Sequence, residues 1–229
     1  MVMKLPEDFV YLKEINPNII ADLQFLLHEN FVGSRIKGYH SNEVILTRPA
    51  AEALSKAQEQ CEIDGYSLVV YDAYRPLKAV NFITEWIKDP YDDFQKKKYY
   101  PNISKHDIFE LGFFSKKSGH SRGSTVDITI IKLGNHVKRS RWFSRKLLND
   151  KEILYRDDDT IDMGTGYNLL DKASYHNSKL VSHEYVERRS YLKKIMNLHG
   201  FYDYHDEWWH YTLVDEPFPN SYFDFNVEI

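Results

Sequence analysis

Apolar positions along this chain switch repeatedly between a helical and an extended period. In "RPAAEALSKAQEQCE" (48–62), Ala50, Leu54, Ala57 and Cys61 recur every three or four residues, the spacing of one helix face. Thr47 stands where an N-cap belongs and Gly65 lies just past the end. "YSLVVYDAY" (66–74) then alternates as a strand. Pro76 suits the first turn of a second helix, with Ala79, Ile83 and Trp86 on one face and Val80 and Ile87 beside them, so Arg75 sits at a strand-to-helix corner. In "STVDITII", Val126, Ile128 and Ile130 share one face of a strand, and Thr125, Asp127 and Thr129 the other. Residues 184–199 read as a helix carrying Tyr185, Leu192, Ile195, Met196 and His199 near one face, stopped by Gly200; "FYDYHDEWWHYTLV" (201–214) reads as a strand.

Helices and strands are therefore interleaved. The two best strands, however, lack the unbroken Val/Ile runs of a parallel sheet covered on both faces. The pattern predicts an α+β fold, an antiparallel sheet flanked by helices. No repeat, low-complexity tract or Gly-, Pro- or Ser-rich linker divides residues 1–229, which read as a single domain.

Composition narrows the function classes. A chain of 229 residues with 42% hydrophobic and 28% charged residues is long enough for a core and polar enough to be soluble. A net charge of −4 is not the basic footprint of a nucleic-acid binder. The lone cysteine, Cys61, excludes an internal disulfide and a cysteine-based zinc site, and its helical context marks it as a buried small hydrophobe. The opening "MVMKLPEDFVYLKEINPNII" has no sustained apolar run, and nothing approaches the ~18 apolar residues of a membrane span. The expectation is a cytoplasmic protein that binds neither membrane nor nucleic acid.

The chemistry concentrates in two short stretches, "SGHSRGSTVD" (118–127) and "DEWWH" (206–210). His120, Asp127 and His210 are candidate ligands for one zinc ion. Neutral imidazoles and a carboxylate are ordinary zinc donors, and three protein ligands leave the open position of a catalytic site. His120 and Asp127 are an odd number of residues apart, so one regular strand would point them to opposite faces; Gly123 offers the break that brings them together. Glu207, three residues before His210, is a candidate general base, provided a bulge or turn at Trp208–Trp209 aims both side chains the same way. Taken singly, neither the His–Asp nor the Glu–His pair is distinctive.

Together the two stretches fit the pattern Ser-x-His-x-x-Gly-x-x-x-Asp followed much later by Glu-x-x-His. In this the chain resembles the D-alanyl-D-alanine dipeptidases of the vancomycin-resistance type, within the zinc D,D-peptidases that share a hedgehog-like α+β fold. "NFVGSRIKGY" (30–39), "YDAYRP" (71–76) and "IDMGTGYN" (161–168) resemble the dipeptidase branch in particular, so the likeness spans roughly residues 20–215. The resemblance implies one zinc per chain on His120, Asp127 and His210, Glu207 as catalytic base, and Arg75 as the group that stabilises a negative tetrahedral intermediate. It implies that Ser118 and Asp162 hold a small dipeptide, with Asp162 facing its ammonium. The rival readings are a murein D,D-carboxypeptidase or endolysin of the same superfamily, and a catalytically silent metal-binding homologue.

One segment departs from the family pattern. Where a short hairpin is usual, residues 131–160 form a long insertion, basic at first (Lys132, Lys138, Arg139, Arg141, Arg145, Lys146) and acidic at its end (Asp157 to Asp159). It reads as a solvated surface insertion, or alternatively as a lid or partner-binding element. The remaining histidines, including His205 close to His210, are read as surface or core residues.

Overall fold

The strands read around residues 66–74 and 124–131 become neighbours in the middle of one sheet. The computed structural model describes residues 5–229; the first four, part of the argument against a cleaved leader, lie outside the described residues. In chain order the strands are β1 (Phe9–Tyr11), β2 (Ile20–Ala21), β3 (Ile45–Thr47), β4 (Tyr66–Asp72), β5 (Thr125–Lys132), β6 (Arg141–Lys146), β7 (Glu152–Asp157), β8 (Phe201–Asp203) and β9 (His210–Leu213). The helices are α1 (Leu12–Ile15), α2 (Arg48–Ile63), α3 (Leu77–Lys88), α4 (Lys96–Tyr99), α5 (Asp107–Glu110) and α6 (His183–Leu198). The main sheet runs β2-β4-β5-β9-β8, antiparallel except at the β2–β4 edge; β1 pairs with β3, and β6 with β7. This is the α+β architecture that the alternating periods predict.

Helix α2 buries Ala50, Leu54, Ala57 and Cys61, the face read from its spacing. It is fastened to β4 by a buried glutamine: Gln58 accepts from the Leu68 backbone N–H (2.7 Å) and donates to the Ser67 hydroxyl (3.0 Å). Thr47 precedes α2 as expected, but its side chain does not cap the helix; its hydroxyl pairs with Ser124 Oγ at 2.7 Å, tying β3 to the start of β5. The sheet also differs from the simple half-wet alternation. Thr125, Asp127 and Thr129 are buried along with Val126, Ile128 and Ile130. Thr125 shares a hydroxyl contact with Thr212 (2.9 Å), and Tyr167 lies over Asp127, so the polar face is a covered floor and not a wet surface.

The segment read as one strand at 201–214 is two. Strands β8 and β9 pair antiparallel, and residues 204–209 turn between them. The turn is held by the Tyr204 N–H donating to the His210 carbonyl (3.0 Å) and the His210 N–H donating to the Glu207 carbonyl (3.1 Å). Beyond β9 an irregular tail returns across the domain. Phe218, Phe223 and Phe225 close around Phe9 and Tyr74, with the rings of Tyr74 and Phe225 stacked at 4.0 Å. The Phe223 N–H donates to the Ser121 carbonyl (2.9 Å), and its carbonyl accepts from the Leu77 N–H (3.0 Å).

Residues 131–160 form the continuation of β5 and the β6–β7 hairpin. The hairpin is fixed to the body at one corner by Trp142, whose indole N–H donates to Glu29 Oε1 (2.7 Å) and whose ring meets Tyr99 edge-on. Lys138 and Arg141 pair with Asp159, and Arg141 also with Asp157, so the basic and acidic ends of this segment neutralise one another.

Candidate metal centre and its cavity

The centre grows out of a sheet rung and a tight turn. Asp127 on β5 stands directly opposite His210 on β9 and opposite Asp72 on β4, so the three side chains share one face. His120 reaches that face from a 3₁₀ turn, Gly119–Arg122, just before β5. Gly123 ends the turn at φ +84°, and any Cβ there would lie 2.2 Å from the Phe9 ring. Glycine is thus required twice over, for the left-handed backbone and for the close approach. Two hydrogen bonds lock the turn to the corner that follows β4: the Arg75 N–H donates to the His120 carbonyl (3.2 Å), and Ser121 Oγ donates to the Arg75 carbonyl (2.8 Å).

The three donor atoms converge. His210 Nδ1 lies 3.0 Å from Asp127 Oδ1, His120 Nε2 lies 3.3 Å from the same oxygen, and the two nitrogens are 3.3 Å apart. Zinc bonds of ~2.0–2.1 Å at tetrahedral angles put donors about 3.3–3.4 Å apart, so this trio fits such an ion with only slight opening. The tautomer of His120 is set for ligation, since Nδ1–H donates to the Ala73 carbonyl (2.7 Å) and leaves Nε2 facing the centre. Burial pushes the Asp127 carboxyl up, but the adjoining His120 and His210 outweigh it and hold the group well below the usual carboxylate range. Burial lowers the His210 pKa despite the Asp127 carboxylate. An ionised carboxylate beside neutral imidazole is the donor set a cation needs. A second group, His106, Asp107 and Glu110, could also hold an ion but lies at the surface around α5, with His106 largely exposed.

Around the trio is a cavity of about 200 Å³ whose lining includes Arg75, Phe113, Phe114, Ser118, Asn168, Tyr204 and Glu207. Glu207 comes from the 204–209 turn and is 8% exposed, with Oε2 3.7 Å from His210 Nδ1. Burial, reinforced by the Asp127 carboxylate, raises its pKa well above the usual range, while Arg75 opposes the shift. Arg75 is buried. Its Nε and a terminal nitrogen both donate to Asp72 Oδ2 (2.9 and 2.8 Å), and its guanidinium faces the Phe25 ring at 4.9 Å. Asp72 is held in turn by the Tyr39 hydroxyl (2.6 Å). The salt bridge to Asp72 and the place in the cavity are therefore two aspects of one arrangement. The Ser118 hydroxyl finds no partner among the described residues and lines the cavity.

Asp162 does not line this cavity, contrary to the expectation that it faces the ammonium of a dipeptide. The Ile161 N–H donates to the Ile130 carbonyl (2.8 Å), which places Asp162 beside a stretch of β5 some 10 Å along the strand from Asp127. Its carboxylate is taken by a two-pronged pair with Arg145 (2.7 and 2.6 Å) and by the Gly164 N–H (2.8 Å). The cavity residue from this segment is Asn168, at φ +61°, buried, with Nδ2 lacking a partner. The sequence carried a signal for it, since asparagine is the non-glycine residue that best tolerates a left-handed backbone and it ends the Gly-rich run "MGTGYN". Tyr167, which donates to Asp127 Oδ2 at 2.8 Å, was equally hidden in that run.

The family model described as D-ala-D-ala dipeptidase matches residues 6–140 and 141–228. The chain is similar to the D-alanyl-D-alanine dipeptidase of Enterococcus faecium, 35% identical over 220 residues that cover 96% of this chain and 98% of the relative. It is similar to that of Streptomyces coelicolor, 34% identical over 220 residues with the same coverage of 96% and 98%. The Escherichia coli dipeptidase is 26% identical over 208 residues, covering 90% of this chain and 84% of the relative. With the family match running almost from one end to the other, the chain belongs to the D-ala-D-ala dipeptidase family of peptidases.

Proposed function

We propose that this protein is a zinc peptidase that hydrolyses D-alanyl-D-alanine or similarly small D-amino-acid dipeptides. One observation carries the reading: the trio His120, Asp127 and His210 shares a small cavity with a buried acid, Glu207, and a buried cation, Arg75. His120, Asp127 and His210 would hold the zinc ion, which when bound would supply Lewis acidity for peptide hydrolysis near neutral pH. Glu207 is placed to take a proton at its carboxylate and return it to a leaving amine. Arg75, preorganised by Asp72 and Tyr39, directs its guanidinium at the developing oxyanion without moving. Ser118 and Asn168 orient the dipeptide, and Phe113 and Phe114 give it an apolar wall.

A volume of about 200 Å³ lies below the ~300–1,000 Å³ typical of drug-sized ligands, which supports a two-residue substrate over a murein strand. A cytoplasmic setting is part of the proposal, supported by a single, buried, unpaired cysteine; no described helix is long and apolar enough to cross a membrane. The test is hydrolysis of D-Ala-D-Ala by the purified protein, with and without chelator, beside L-Ala-L-Ala and a muropeptide ending in D-Ala-D-Ala. Chelator-sensitive release of D-alanine from the free dipeptide is expected. Equal cleavage of the muropeptide would hand the site to the carboxypeptidase reading, and no cleavage of any substrate to the silent one.

A further inference from the structure

The insertion hairpin does not line the cavity, yet its base is wired to a metal ligand. Asp158, just past β7, is 3% exposed and accepts the Tyr71 hydroxyl at 2.6 Å. Tyr71 is stacked on Tyr167, centroids 4.6 Å apart and planes within 20°. Tyr167 donates its hydroxyl to Asp127 Oδ2 at 2.8 Å, the carboxylate oxygen turned away from the two histidines. Arg156, on β7 and almost wholly buried, faces the Tyr71 ring at 5.5 Å and pairs with Asp158 at 3.5 Å. A second contact reaches the same loop by backbone. Gly166 is pressed so closely on β7 that an added Cβ would lie 2.8 Å from Arg156 Cβ and 3.2 Å from Arg156 N. The next two residues are Tyr167 and Asn168.

We propose that the β6–β7 hairpin is a positioning element of the metal centre, aligning Asp127 through Asp158, Tyr71 and Tyr167 and seating Asn168 through the contact of Gly166 with Arg156. The physical content is that the carboxylate's second oxygen needs a fixed partner, and outer-sphere partners set the geometry and basicity of a ligand. Tyr167 can serve only if its ring cannot slide. The Tyr71 ring beneath it is itself anchored at the hydroxyl by Asp158, and the hairpin holds Asp158. The insertion thereby acts as a buttress, in contrast to a lid.

The proposal rests on the reading of His120, Asp127 and His210 as metal ligands, so its test measures metal affinity first. Zinc dissociation constants are taken by competition with a chromogenic chelator for the wild type, Tyr71→Phe, Asp158→Asn, Tyr167→Phe, the double variant Tyr71→Phe/Tyr167→Phe, and Lys146→Ala at the exposed hairpin end. Tyr167→Phe should weaken zinc about 10-fold or more, and Tyr71→Phe and Asp158→Asn about 3- to 10-fold. The double variant should lose no more than Tyr167→Phe alone, because Tyr71 acts through Tyr167. Lys146→Ala should match the wild type. With zinc saturating, Gly166→Ala should raise KM for the dipeptide more than it lowers kcat. Additive losses in the double variant, or affinities within twofold of wild type for both Tyr71→Phe and Asp158→Asn, would overturn the buttress and leave the peptidase reading standing. A wild-type chain with no zinc affinity would instead overturn the ligand assignment and the buttress with it.

Discussion

Asp127 and His210 face one another across the β5–β9 ladder, with Oδ1 and Nδ1 3.0 Å apart. Two of the three candidate metal ligands are thus a single rung of a sheet, and only His120 depends on a turn. A one-residue slip of β9 would send His210 to the opposite face, so the strand register and the ligand set are specified together.

Removal of any member of the trio should abolish tight metal binding. His120→Ala, Asp127→Ala and His210→Ala are each expected to carry well under one zinc per chain, against about one for the wild type. Elemental analysis of protein purified without added metal reads this directly. Full occupancy in the His120→Ala chain would remove that residue from the centre.

Glu207→Gln should separate chemistry from binding. The isosteric amide keeps the turn and the metal but cannot accept a proton, and kcat should fall ~10²–10⁴-fold. A variant with near-normal turnover would exclude Glu207 as the base, and a zinc-free one would make it a ligand.

Asn168 and Asp162 should behave oppositely. Asn168→Ala removes a cavity group and puts alanine at a left-handed backbone position that asparagine tolerates better, so KM for D-Ala-D-Ala should rise several-fold with zinc content intact. Asp162→Asn breaks the pair with Arg145, with an expected cost of about 1 kcal/mol in stability. Its KM should be unchanged. A large KM effect at Asp162 with none at Asn168 would restore the assignment made from sequence.

The fold should weaken in mild acid through His176. This residue is 2% exposed, and neither ring nitrogen has a partner. Burial lowers its pKa to about 4, with Lys193, Arg189 and His205 acting in the same direction and Asp203 opposing. The unfolded chain, with the ordinary value near 6.5, therefore binds the proton more readily. No penalty exists above that pH, and one of at most about 3 kcal/mol builds as pH falls from 6.5 toward 4. Denaturant melts of wild type and His176→Gln at pH 7 and pH 5 measure it as a difference, in which metal-linked losses cancel. The wild type should lose more stability between the two pH values than the variant, and parallel losses would refute the assignment.

What could be read from sequence was whatever local pattern dictates. The face of α2, the corner at Arg75 and the break at Gly123 each follow from spacing or from one special residue. The turn needed to aim Glu207 with His210 was inferable, but not that it splits the segment into β8 and β9, because the aromatic run "EWWHYTLV" has strand propensity throughout. Asp162 was matched to the substrate through the family resemblance of "IDMGTGYN", and local sequence gives no sign of its real partner. Its capture by Arg145, seventeen residues earlier, depends on how the β6–β7 hairpin folds back. The Asp158–Tyr71–Tyr167 relay joins three distant segments through side chains that composition shows only as common tyrosines and an acid.

The tail that crosses behind the metal turn bears on the order of events during synthesis. The carbonyl of Ser121 is claimed by the N–H of Phe223, and Tyr74, one residue from Arg75, donates its hydroxyl to the Phe225 carbonyl (3.0 Å). A ribosome that has made β4, β5 and the His120 turn has yet to make both the third ligand, His210, and the strap that fixes the turn. At translation speeds of ~5–20 residues per second the half-built centre waits several seconds with His120 and Asp127 in place but unlocked. The three candidate ligands and the strap that fixes the turn therefore exist together only once residues 210–225 have been made, so a metal ion on this trio would be a finishing step of folding and not its template.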